Sequence, residues 1–126
     1  MEIGKVLNMK KLYALRGATQ CENTIQDICE QVTAMYDELL GSNELEEKDI
    51  VSVMFSVTDD IDVINPCTAL RKSNRASSLA LFSAKEPKIL MSLERTIRVI
   101  IHCYLNEQTT VKHVYRNGAE ILRPDR

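Results

Sequence analysis

The stretch Ile97-Arg98-Val99-Ile100-Ile101-His102-Cys103-Tyr104-Leu105 is among the most apolar in the chain, and it carries an arginine near its start. It is rich in β-branched and aromatic residues and bounded by polar ones, so it predicts a strand, over residues 96–105, buried on at least one face. A guanidinium cannot shed its proton, so a buried Arg98 needs an anionic partner. Left uncompensated, it would cost several kcal/mol. A carboxylate elsewhere in the chain supplies that charge, or a ligand does, and the choice separates a structural role from a catalytic one.

The rest of the pattern frames that strand. Residues 9–15 suit a first strand ending at Arg16-Gly17. Thr24 followed by Asp27 resembles a capping box, and Ile25, Ile28, Val32, Met35 and Leu39 recur at helical spacing. A helix over residues 24–40 follows, with Gly41 as its C-cap. Residues 49–57 read as a second, mostly buried strand, and Thr58-Asp59-Asp60 as a polar loop. Pro66 suits the first turn of a helix running to about Asn74. Residues 78–83 read as a short third strand; Pro87 then blocks continuation, leaving 84–92 as a loop with a helical turn. Residues 111–116 and 119–122 flank Asn117-Gly118, the favoured type I′ hairpin turn. The order β-α-β-α-β-β-β predicts an α+β fold, a mixed five-stranded sheet with two helices on one face. Two helices cover one face of such a sheet. The other, also apolar in several strands, predicts a homo-oligomer.

With 126 residues and 44% hydrophobic content, the chain is expected to form one domain over 9–126. Met9 can itself serve as a start, so residues 1–8 read as a flexible N-terminal extension. Sixteen Lys plus Arg against eighteen Asp plus Glu give a net charge of −2 and no basic field for nucleic acid. No apolar run approaches the ~20 residues that span a bilayer, so no membrane partner is expected. The N-terminus lacks the layout of a secretion signal, which makes cytoplasmic the default. The four cysteines (Cys21, Cys29, Cys67, Cys103) include no C-x-x-C pair, and His102 and His113 have no zinc-site spacing. They read as small core or pocket residues, with no metal expected. No phosphate-binding glycine loop occurs among the four glycines.

Taken singly, the polar candidates read as surface groups. Arg16 is a strand-end arginine beside Gly17 and Ala18, small residues that let a ligand approach the backbone. Glu86 is a loop carboxylate, Tyr115 a half-buried sheet tyrosine, Arg71 a helix-surface arginine and Arg123 an exposed one. As a set they match one pattern: Leu15-Arg16-Gly17-Ala18-Thr19; Ser56-Val57-Thr58-Asp59-Asp60 leading to Pro66; Arg71; Glu86; Ile97-Arg98-Val99; His113-Val114-Tyr115; and Leu122-Arg123-Pro124-Asp125. In order and approximate spacing, from about residue 10 to the C-terminus, the chain resembles the single-domain, trimeric chorismate mutases of the AroH class.

That resemblance implies a trimer closing into a pseudo α/β-barrel. It implies a Claisen-type rearrangement of chorismate to prephenate, on the route to phenylalanine and tyrosine, without covalent intermediate, cofactor or metal. Arg98 would donate to the ether oxygen, where negative charge grows as the C–O bond breaks. Arg16 and Tyr115 would bind substrate carboxylate and hold the enolpyruvyl arm over the ring. Glu86 would accept the ring hydroxyl's hydrogen bond and keep Arg98 in register. Phe82, Ser83, Ala84 and Lys85 would line the pocket, while Asn65, Cys67, Arg71, Leu122 and Arg123 complete the substrate-binding set. Of these, Asn65, Cys67, Arg71 and Leu122 match positions supplied at the subunit boundary. The chain departs from the pattern at Asn65 and Thr68, where relatives often carry an aromatic residue and a lysine. It also stops at Arg126, where relatives continue into a tail covering the site, so weaker substrate capture is expected. The altered rim motivates the alternative of a non-catalytic trimeric binding module for a small dicarboxylate. A second alternative is a structural trimer in which Glu86 alone satisfies Arg98.

Overall fold

A computed structural model describes residues 9–122; the expected extension 1–8 and the matching residues Arg123, Pro124 and Asp125 lie outside them. Five strands, β1 (Lys10–Gln20), β2 (Ile50–Val57), β3 (Leu81–Lys85), β4 (Thr96–Asn106) and β5 (Val114–Arg116), alternate with two helices, α1 (Ile25–Ser42) and α2 (Pro66–Lys72). The sheet order is β3-β2-β4-β1-β5. β4 runs antiparallel to both of its neighbours, whereas β3 and β5 pair in parallel with β2 and β1. The expected α+β class and mixed five-stranded sheet are therefore present.

Local chemistry accounts for the helices. Thr24 caps α1 by accepting the Asp27 N–H at 3.0 Å, and the Asp27 carboxylate returns a bond to the Glu22 N–H at 2.7 Å. The apolar stripe Ile28, Val32, Met35, Tyr36 and Leu39 is fully buried. Asn65 caps α2 by accepting from the Cys67 N–H at 2.8 Å, with Pro66 in the first turn.

Several boundaries differ from expectation. Gly41 is inside α1, and the C-cap is Asn43. α2 stops at Lys72, short of Asn74. β1 does not end at Arg16-Gly17 but runs to Gln20, because β4 offers it partners through Thr96. β3 starts at Leu81 rather than 78. Asn74 and Ala76 hold left-handed backbone, with φ of 62° and 58°, and the chain extends only once Ala80 O meets the Val53 N–H. No helical turn forms across 84–92, which belongs to β3 and then to turns and irregular backbone. Asn117 and Gly118 do adopt the positive φ that a type I′ turn requires, 53° and 98°. However, Ala119–Leu122 forms a 3₁₀ turn instead of a returning strand, and the neighbour of β5 is β1, in parallel.

Arg98 does not point into the core. Ile97, Val99, Ile101 and Cys103 point into the core, so the alternation of a strand turns Arg98 to the other face, where its side chain is 46% exposed within one chain. The run looks uniformly apolar because that outer face also carries Ile100 and Tyr104. Both helices occupy the inner face. On the outer face Leu12, Met54, Phe82 and Tyr104 stand 41–60% exposed, a band of apolar surface that one chain leaves uncovered.

Gly17 shows how tightly the inner face is packed. A β-carbon there would come within 3.0–3.2 Å of Leu39, Val99 and Met35. Its smallness serves the approach of α1 rather than that of a ligand. Gly17→Ala is expected to lower stability by about 1–3 kcal/mol, the usual range for overpacking, read as a lower urea midpoint at unchanged slope.

Candidate active site

Sheet register sets the outer-face site. Ala84 pairs with Ser56, Ser56 with Arg98, Arg98 with Ala18 and Ala18 with Tyr115, so one row crosses all five strands. The adjacent row is Phe82, Met54, Ile100 and Arg16. Residues 16, 56, 98 and 115, far apart in sequence, thus share one patch. Strands lie about 4.8 Å apart, so Arg98 and Tyr115, with Ala18 between them, stand about 10 Å apart at the backbone. Ala18, itself buried, places only a methyl group between them. A cleft of about 420 Å³ results, lined among others by Arg16, Phe82, Arg98, Tyr115 and Leu122.

Glu86 enters from the end of β3. Its N–H donates to Val57 O at 2.7 Å, its carboxylate accepts from the Ser56 hydroxyl, and Oε2 lies 3.3 Å from Arg98 Nε. Ser56 therefore steadies the Glu86 carboxylate, which in turn engages Nε of an Arg98 that lines the cleft. The bracing role of Ser56 escaped the residue-level reading, because a lone strand serine carries no local signal. Met54 and Ile100, which wall the cleft beside Arg16, were hidden in the same way.

Not every expected residue lines this cleft: Glu86 meets it only through Arg98 and Ser56, and itself borders a different hollow. Asn65, Ser83 and Lys85 border a separate hollow of about 490 Å³; Ala84 lines both. Cys67 is buried, and that burial raises its thiol above the ordinary range. Burial likewise pushes Cys21 and Cys103 up to about 11, so these three thiols are neutral at pH 7 and unsuited to nucleophilic attack. Arg71 Nη2 donates to Leu79 O at 3.4 Å. A third hollow, about 500 Å³, is walled by Asp59, Asp60, Glu86 and Glu94 against Lys88; that charge disfavours a dicarboxylate. Among the described residues no cluster of His, Cys, Asp and Glu is arranged to hold a metal, and no helix is long and apolar enough to cross a membrane.

Two arginines, a braced carboxylate and a phenol around an apolar floor suit a small, polyanionic organic molecule. Comparison with known proteins agrees. The family model for chorismate mutase type I matches residues 12–126. The chain belongs to that family. Among solved structures, a chorismate mutase from Clostridium thermocellum superposes with a TM-score of 0.78 at 38% identity, covering 86% of this chain and 98% of the other. The search of curated proteins returned no match. Membership makes the protein an isomerase, a chorismate mutase, and chorismate the substrate that the cleft must be measured against.

Proposed function

We propose that the outer-face cleft is where this chorismate mutase rearranges chorismate to prephenate, and that it works between subunits of a homotrimer. The observation carrying the reading is the cross-sheet row that aligns Ser56, Arg98, Ala18 and Tyr115, with Arg16 in the next row and Glu86 against Arg98. The rearrangement is unimolecular, so the protein has two tasks. It must hold the extended substrate folded, and it must favour the charge separation of the transition state.

Arg16 and Tyr115 take the carboxylates and keep the enolpyruvyl arm above the ring. As the ether bond lengthens ahead of carbon–carbon bond formation, negative charge builds on the ether oxygen. Arg98 donates to that oxygen, and the bond strengthens as the charge grows, so it lowers the barrier more than it stabilises the bound substrate. Glu86 accepts from the ring hydroxyl and fixes the guanidinium plane. Phe82, Met54 and Ile100 exclude water from one side.

Two features support assembly from several copies. The outer face presents uncovered apolar side chains around the cleft. In addition, Asn65 and Arg71 are exposed and lie outside the cleft of their own chain, as residues contributed to a neighbour's site would; Cys67 is buried in its own core. Covering the face would also desolvate Arg98, giving the low-dielectric setting in which a fixed donor acts most strongly. The proposal places the protein in the cytoplasm, where an enzyme of aromatic amino acid biosynthesis would work.

The test is direct. Purified protein mixed with chorismate at neutral pH is expected to accelerate loss of the substrate's diene absorbance, and sedimentation equilibrium is expected to give three times the monomer mass. A trimer that binds prephenate yet leaves the buffer rate unchanged would instead identify a non-catalytic binding module.

A further inference from the structure

Tyr115 stands on a strand of three residues at the edge of the sheet, paired on one side only. So short an edge strand holds itself poorly, and its placement depends on what grips its ends. At the entrance the grip is Asn43. The Lys112 N–H donates to Asn43 Oδ1 at 2.8 Å, and Asn43 Nδ2 donates to Lys112 O at 2.9 Å. The side-chain amide thus pairs with the backbone of Lys112 much as a neighbouring strand would. Nδ2 also donates to Leu39 O at 2.8 Å, tying the amide to the last turn of α1. Asn43 is only 6% exposed, so these bonds do not compete with bulk water.

One residue on, His113 Nδ1 accepts the Arg16 N–H at 3.0 Å, immediately before the Gly17–Val114 register begins. At the exit, Gln31 Oε1 accepts from Asn117 Nδ2 and from Arg116 Nη2 at 3.3 Å. Helix α1, on the far face of the sheet, therefore holds β5 at both ends.

We propose that Asn43 is a positioning residue, which acts through Lys112 and β5 to hold the Tyr115 phenol over the cleft. The inference rests on the reading that Tyr115 binds substrate. The chemistry explains the residue type: two N–H donors serve two carbonyls and one oxygen serves one N–H, a set that Asp, Ser, Leu and Ala each lack.

The test uses the assembled protein and pairs hydrogen exchange with steady-state kinetics on chorismate. Asn43→Ala is expected to speed amide exchange at residues 112–116 at least about tenfold while β4 stays protected. It is expected to raise KM about tenfold, as a displaced binding group would. In a Tyr115→Phe background the same substitution should add less than about twofold, because its target is already gone. Asn43→Ser, which keeps one donor and an acceptor on a shorter stem, takes its place should the alanine variant fail to assemble. Unchanged exchange at 112–116, or losses at 43 and 115 that multiply independently, would overturn the assignment. If Tyr115→Phe alone changes neither kcat nor KM, the substrate role of Tyr115 falls, and exchange alone then decides whether Asn43 holds β5.

Discussion

Arg98→Lys is expected to lower kcat at least about a hundredfold with little change in assembly or melting temperature, since losing one oxyanion donor typically costs about 3 kcal/mol. The magnitude follows from what the side chain must do at once. Its Nε faces the Glu86 carboxylate at 3.3 Å, and in the proposed mechanism the same rigid plane must also donate to the ether oxygen. A lysine ammonium keeps the charge but is a single point on a flexible stem. It can meet Glu86 or the ether oxygen, not both in fixed geometry. The half-exposed pair adds little to the stability of a single chain, so the loss should appear in turnover rather than in folding. Stopped-flow or steady-state measurement at saturating chorismate checks it, and a near-normal kcat would refute the electrostatic role given to this arginine.

Glu86→Ala is expected to cost about ten- to a hundredfold in kcat/KM, the range of one or two hydrogen bonds to a charged group. The carboxylate is bonded to Ser56 and paired with Arg98, so its removal frees the guanidinium plane and, in the proposed mechanism, takes away the acceptor for the ring hydroxyl. Glu86→Gln should fall between wild type and alanine. It keeps an oxygen for Ser56 or the substrate but turns a neutral amide towards Arg98. Comparing the two variants by kinetics and by urea denaturation separates the roles. Loss of rate at constant stability supports the site, whereas a Glu86→Gln protein that unfolds, from a wild type that binds no dicarboxylate, would make the pair a structural ion pair.

The elements most legible in sequence carry their own local signals. The Thr24 cap and the stripe from Ile28 to Leu39 specify α1, and Pro66 starts α2. Less legible were β3, shifted by the left-handed turns at Asn74 and Ala76, and the segment after Gly118. There the turn residues behaved as their types require, yet the Gly118 N–H found the Glu120 carboxylate at 2.8 Å rather than a returning strand. Turn chemistry fixes a bend; whether a hairpin follows depends on a partner strand, and β5 takes β1.

The candidate site divides along the same line. Arg16, Glu86, Arg98 and Tyr115 stood out as a set through family resemblance; Ser56 lay in a matching segment but without a role of its own, and Asn43 gave no signal. Their roles lie in bonds across 30 and 69 positions of sequence.

Caps, prolines and apolar spacing act within a few residues, so α1, the start of α2 and the strand around Arg98 are legible from the sequence alone, together with the residue types available for chemistry. Tertiary structure decided which side of β4 bears Arg98 and which residues become its neighbours. A strand's two faces differ only by a single-residue step, and what covers each is settled by distant segments packing against it.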